Sequence, residues 1–262
     1  MNYMNKESIM DRLREHYEFA QKDITGNIFG IFLQGSQNYI NELFSKDSDV
    51  DSRAIYVPRK KEICLGIDIS EPELILENGE HIDRFDLRKF LNLIKTPGIN
   101  NYEALFTEYF IINPKYESFY QKIIELREDL VRVDKKKFLM SIMGISMKDF
   151  KTLEHRRGGE DYDIENFGYS RKRLSNIIRF NKTAKAYIEG KDFSECLKSM
   201  DEELIYKIRR TDYYTLKQAL KIAEEMDQET KEIATNFTVT LSSMDPIIKI
   251  EDIFVDIMST EF

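Results

Sequence analysis

FLQGSQNYINELFSKDSDVDSRAIYV, residues 32–57, holds the pattern that decides the fold. An apolar run ends in Gly35 and Ser36, and about a dozen residues later Asp49 and Asp51 stand one residue apart at the head of the next apolar run, AIYV at 54–57. IFGIFLQ (28–34) is short, β-branched and aromatic, which predicts a buried strand. AIYV stops at Pro58, as a strand does on meeting a residue without an N–H, and the intervening NYINELF has the spacing of a helix. Side chains alternate faces along an extended segment, so Asp49 and Asp51 are expected to point the same way, with Cα atoms roughly 7 Å apart.

Two carboxylates so placed can share one or two Mg²⁺ ions, which favour hard oxygen ligands and complete their shells with water and phosphate. Paired ions can stabilise both the attacking and the leaving oxygen of a displacement at phosphorus. Gly35 lets the backbone approach a phosphate, and Ser36 offers a hydroxyl and an amide at the start of a helix. A calcium loop is excluded. Asp47, Asp49 and Asp51 fit its positions one, three and five, but position six is Ser52 rather than Gly and position twelve is Pro58 rather than Glu.

Outward from this stretch, residues 7–22 place Ile9, Met10, Leu13, Tyr17 and Ala20 at helical spacing, and EICLGI and ELILE within 59–80 read as pieces that could supply further strands. DLRKFLNLIK puts Leu87, Phe90, Leu91 and Ile94 on one helical face behind a capping acid, Asp86. KTPGINN breaks the chain, and from about residue 113 the periodic segments read as helices. The expected organisation is an α/β half followed by a helical half.

The composition sets limits. A charged fraction of 33% with no long uncharged apolar run argues against a membrane-spanning helix, and the acids in MNYMNKESIMDRLREHYEF are unlike a signal peptide, so a cytoplasmic protein is expected. Cys64 and Cys196 lack the spacing of a zinc site or a disulfide framework and are expected to be reduced and buried. A net charge of -8 argues against a surface built for duplex DNA.

GSQNY followed by SDVDSRAIYV resembles the signature of the DNA-polymerase-beta-like nucleotidyltransferases, and most closely the subgroup associated with RNA-repair genes. Ala54 stands where that subgroup usually has Gly. FDLRKFLNLIKTPGINNYEALF (85–106), GYSRKRLSNIIRF and YKIRRTDYYT extend the likeness over most of the chain. The resemblance implies an α+β fold: a small mixed β-sheet nucleotidyltransferase domain flanked by helices at 1–112, then a helical domain at 113–262 completing the nucleotide cleft. It implies transfer of a nucleoside monophosphate from an NTP to a hydroxyl with release of pyrophosphate, dependent on Mg²⁺ as two ions. The implied acceptor is an RNA 3′ end; the alternatives are a protein or small-molecule acceptor, or a catalytically silent nucleotide-binding protein.

On this resemblance Asp49 and Asp51 match the metal-binding acids, and Gly35 and Ser36 match the triphosphate turn. A third acid is implied, with Glu80, Asp83 and Asp86 as candidates. Asp86 suits a helix cap and Glu80 reads as part of a turn beside Gly79, which favours Asp83 as metal ligand and catalytic acid; the subgroup's acid falls nearer position 81, here His81. Residues 168–185 carry six Lys or Arg and no acid. Lys172, Asn176 and Arg179 share one helical face there, and the resemblance assigns Lys172 and Arg179 to the β and γ phosphates. Arg171, Arg173 and Lys182 point elsewhere, toward an acceptor backbone or water. His16, His81 and His155 read as satisfied or exposed histidines rather than catalytic ones.

Overall fold

IFGIFLQ forms a strand, and the strands that flank it make a mixed sheet. A computed structural model describes residues 6–23, 26–35, 38, 49–67, 73–156, 161–238 and 243–262. Helix α1 (Lys6–Asp23) leads into β1 (Asn27–Leu33), β2 (Ser52–Val57), helix α2 (Lys60–Leu65), β3 (Glu73–Ile75) and β4 (His81–Asp86). Then come α3 (Leu87–Ile94), α4 (Ile99–Phe106), β5 (Phe110–Ile112) and α5 (Glu117–Arg132). Among the described residues the strand order is β3-β4-β2-β1-β5. Only β2 and β4 run parallel; the other neighbours are antiparallel.

A bulge in β1 decides which residues face which layer. Its register against β2 shifts between Ile28 and Gly30. Ile28 and Ile31, three residues apart, therefore join Ala54, Tyr56 and Ile82 on the face covered by Ala20 and Tyr17 of α1. Leu33 and Val50 continue that layer against Ile9 and Leu13. On the other face Phe29 meets Tyr116 and Phe32 meets Phe90, at ring separations of 5.8 and 6.2 Å. Phe90 of α3 in turn stacks at 6.1 Å on Phe254 of a later helix, Asp245–Ser259.

The chain divides into two compact units, Met1–Val133 with Ser242–Phe262, and Asp134–Leu241. The boundary expected after residue 112 falls inside the first unit, because Tyr120 of α5 and Phe254 belong to the aromatic layer beneath the sheet. The second unit is helical: α6 (Lys135–Lys151), α7 (Asp161–Phe167), α8 (Arg171–Ile188), α9 (Phe193–Leu197), α10 (Glu202–Arg210) and α11 (Leu216–Asn236). Phe138 of α6 packs on Tyr187 of α8 at 4.6 Å, and Asn181 of α8 donates to Glu229 of α11 at 3.0 Å. The helix that returns to the first unit is α12 (Asp245–Ser259).

Two local expectations are corrected. EICLGI lies largely in α2 rather than in a strand, because the Glu62 carboxylate accepts the Arg59 N–H at 2.8 Å and starts a helical turn. No residue of α2 is buried, so Cys64 is exposed, whereas Cys196 is buried as expected. Asp86 caps α3 as its position foretold, accepting the Lys89 N–H at 2.9 Å.

A Cβ on Gly30 would stand 2.7 Å from Ile112 Cδ1 and 2.9 Å from the Ile111 carbonyl oxygen. Gly30→Ala is therefore expected to lower the unfolding free energy by about 1–3 kcal/mol, with an unchanged denaturant slope in urea titration.

Candidate functional site

The antiparallel pairing of β1 with β2 brings the glycine bend and the aspartates to one end of the sheet. Leu33 pairs with Ser52, and one step further the Gln34 N–H donates to the Asp51 carbonyl at 2.9 Å. Gly35 follows with φ +83° and open space where a Cβ would stand, a backbone that L-residues rarely adopt. Asn38 braces the bend: its N–H donates to the Gly35 carbonyl at 3.2 Å, its Nδ2 to the Leu33 carbonyl at 3.1 Å, and its Oδ1 accepts from Thr107 at 2.5 Å. Ser36 and most of the expected NYINELF helix lie outside the described residues.

Asp49 and Asp51 stand just ahead of β2 rather than within it. The strand's alternation nevertheless extends to them, with Asp49 and Asp51 exposed and Val50 and Ser52 buried. The three candidates for a further acid have different environments. Asp86 is 5% exposed and occupied by the α3 cap and Arg88, and Glu80 is fully buried in an ion pair, whereas the Asp83 side chain is 41% exposed. Asp83 pairs with Arg53 at 3.4 Å, and Arg53 Nη2 also donates to Gln34 Oε1 at 3.2 Å. The Arg53 guanidinium lies 4.3 Å over the Phe85 ring. Burial pulls this guanidinium below its usual range, and Asp83 works against that shift.

His81 stands one register step before the Ser52–Ile82 pair, alongside Asp51. Its Nδ1 meets Glu73 Oε1 at 2.8 Å. That hydrogen bond raises the imidazole above its usual range, with smaller contributions from the charges of Asp51 and Asp49. His16 is different. It is fully buried, with Nε2 at 3.0 Å from Glu80 and Nδ1 at 2.8 Å from Ser52 Oγ. Burial and then Arg12 push it down to about 4, so at neutral pH the uncharged ring donates from Nε2 to the carboxylate and accepts the Ser52 hydroxyl at Nδ1. Of the two expectations, satisfied or exposed, His16 meets the first, and its three-residue offset from Leu13 is the signal that it shares the buried face.

In the second unit Ser170 caps α8 by accepting the Arg173 N–H at 3.2 Å, and Lys172, Asn176 and Arg179 share a face as their spacing requires. Lys172 is exposed, Asn176 donates to Asp149 at 3.1 Å, and the Arg179 guanidinium lies 4.8 Å over Phe180. Arg171 and Arg173 turn to the protein itself rather than to an acceptor or water. Arg171 binds Asp163 at 2.8 Å, and buried Arg173 donates to the His155 carbonyl at 2.8 Å and to that of Thr152.

Among the described residues no three His, Cys, Asp or Glu side chains converge as a metal cage. The exposed pair Asp49 and Asp51 still suits Mg²⁺, which takes one or two protein carboxylates. Close by, Gln34 Nε2 is buried without a hydrogen-bond partner among the described residues, a donor suited to an anion. Compared with known proteins, the chain matches no family model and no curated relative.

Two outcomes follow from the histidines. The folded chain holds fewer protons than the unfolded one between about pH 4 and the ordinary histidine value of about 6.5, so the stability due to His16 is complete above that window and is lost as pH falls through it. Its size is up to about 3 kcal/mol, and His16→Gln is expected to flatten that part of the stability–pH curve in chemical denaturation. For His81, Glu73→Gln is expected to bring the NMR titration midpoint down toward the ordinary value.

Proposed function

We propose that the chain is a Mg²⁺-dependent nucleotidyltransferase of the DNA-polymerase-beta-like kind, near the RNA-repair-associated subgroup. It moves a nucleoside monophosphate from an NTP to a hydroxyl at an RNA 3′ end and releases pyrophosphate. One observation carries the reading: the Gln34–Asp51 hydrogen bond sets a left-handed glycine bend directly beside two exposed, co-facing carboxylates.

Asp49 and Asp51 are the ligands for Mg²⁺. When bound, the metal supplies charge stabilisation at the phosphoryl oxygens. Gly35 admits the triphosphate to the backbone, and Ser36 and the Gln34 amide nitrogen donate to it. Asp83, the most exposed of the three candidate acids, accepts the proton of the acceptor hydroxyl and completes the metal's ligands.

Incubation with each of the four labelled NTPs and either bulk RNA or cell lysate tests this. Label is expected in RNA; label in protein instead assigns a protein acceptor. Asp49→Asn with Asp51→Asn is expected to cut transfer by about 10³-fold or more. The melting temperature should stay the same or rise, because two like charges leave one face. Turnover retained in that double variant rejects the mechanism.

A further inference from the structure

The first unit buries a carboxylate to which the roles above give no work. Glu80 is fully buried in the turn before β4. Its oxygens accept from the Arg12 guanidinium, from His16 Nε2 at 3.0 Å, from Asn78 Nδ2 at 2.8 Å, and from the backbone N–H of Val50 at 2.5 Å. Val50 is the residue between Asp49 and Asp51. The parallel ladder of β2 on β4 begins at Ser52 with Ile82, and extending that register by two residues sets Val50 beside Glu80. The Glu80 side chain therefore takes the rung that the backbone ladder does not supply.

We propose that Glu80 is a positioning residue for the Asp49/Asp51 pair, its carboxylate clamping the Val50 N–H and so fixing the direction and separation of the two acids that receive a divalent cation. The inference rests on the metal-binding reading of those acids. Three groups hold the clamp from two parts of the chain: Arg12 and His16 from α1, and Asn78 from the turn after β3. His16 passes the connection on to Ser52, the residue after Asp51. The chain around the aspartates is thus held at Val50 by Glu80 and at Ser52 by His16, while the aspartate side chains remain exposed. Outer groups that orient metal ligands act in this way: they leave the metal untouched and set the geometry of the residues that bind it.

Mn²⁺ binding to the full chain, followed by the EPR signal of the free ion without nucleotide, tests the proposal. The difference between wild type and Asp49→Asn/Asp51→Asn defines binding at the aspartates. Glu80→Ala is expected to weaken that binding by about 10- to 100-fold, and Asn78→Ala, at an exposed turn position, by about tenfold. Glu80→Gln still presents an amide oxygen to the Val50 N–H but no longer accepts from Asn78, so it is expected to lie between wild type and Glu80→Ala. Its NH₂ then faces His16, whose proton moves to Nδ1, a change visible in the ¹⁵N shifts of the ring. All measurements are made well below each variant's melting temperature, where a purely structural role leaves Mn²⁺ affinity unchanged. If Glu80→Ala does not fold, Glu80→Gln and Asn78→Ala decide the question. Equal binding by wild type and the double Asn variant removes the metal reading and this inference with it. Binding that depends on Asp49 and Asp51 but is unchanged in Glu80→Ala or Asn78→Ala overturns the inference alone, as does a Gln variant as weak as the Ala variant.

Discussion

The register of β1 against β2 is the constraint on which the rest of the first unit depends. A slip of one residue would turn every side chain of a strand to the opposite face. Phe29 and Phe32 would leave the aromatic layer of Tyr116, Tyr120 and Phe90, and Ile28 and Ile31 would leave α1. Burial on both faces makes such a slip costly, since each large apolar side chain returned to water costs about 1.5–3 kcal/mol. The same register places Gln34 opposite Asp51, so the packing that secures the core also secures the neighbourhood of the glycine bend and the aspartates.

Much of this was legible in the sequence, because it depends on local signals. The apolar runs of β1 and β2, the capping acid of α3 and the periodicity of α6, α8 and α11 are read within windows of a few turns. The mixed α+β class follows from those runs. Contacts that close over long sequence separations were not legible. Phe254 completes the aromatic layer beneath β1 from the far end of the chain, and no local signal joins it to Phe90. Glu80 meets Arg12 across 68 residues, and a Glu after a Gly carries no mark of complete burial. Arg171 and Arg173 show the converse error: a basic run looks like a surface for a partner until Asp163 and the carbonyls after α6 take up two of its charges.

Energetics separates the acids of this region. Asp49 and Asp51 repel one another, but two unit charges about 7 Å apart in water do so by only about 0.6 kcal/mol. The fold tolerates an exposed pair at little cost, so exposure alone says little about why the pair is there. Its informative feature is the company of Gly35, Gln34 and His81 at one strand end.

Glu80 stands at the other limit. Removing a carboxylate from water costs several kcal/mol even after relaxation, and a buried ion pair returns roughly that amount only when its remaining hydrogen bonds are satisfied. Arg12, His16, Asn78 and the Val50 N–H supply that satisfaction. The exchange therefore comes close to even in stability. What it yields is a single arrangement of α1, the turn before β4 and the chain around Val50. An apolar residue at position 80 would fill the space but could not accept the Val50 N–H. Of Glu80, Asp83 and Asp86, the first fixes backbone, the last starts a helix, and the one between them remains the most exposed, paired only loosely with Arg53 at 3.4 Å. Three acids within seven residues are thus set apart by burial, a property that residue type alone does not encode.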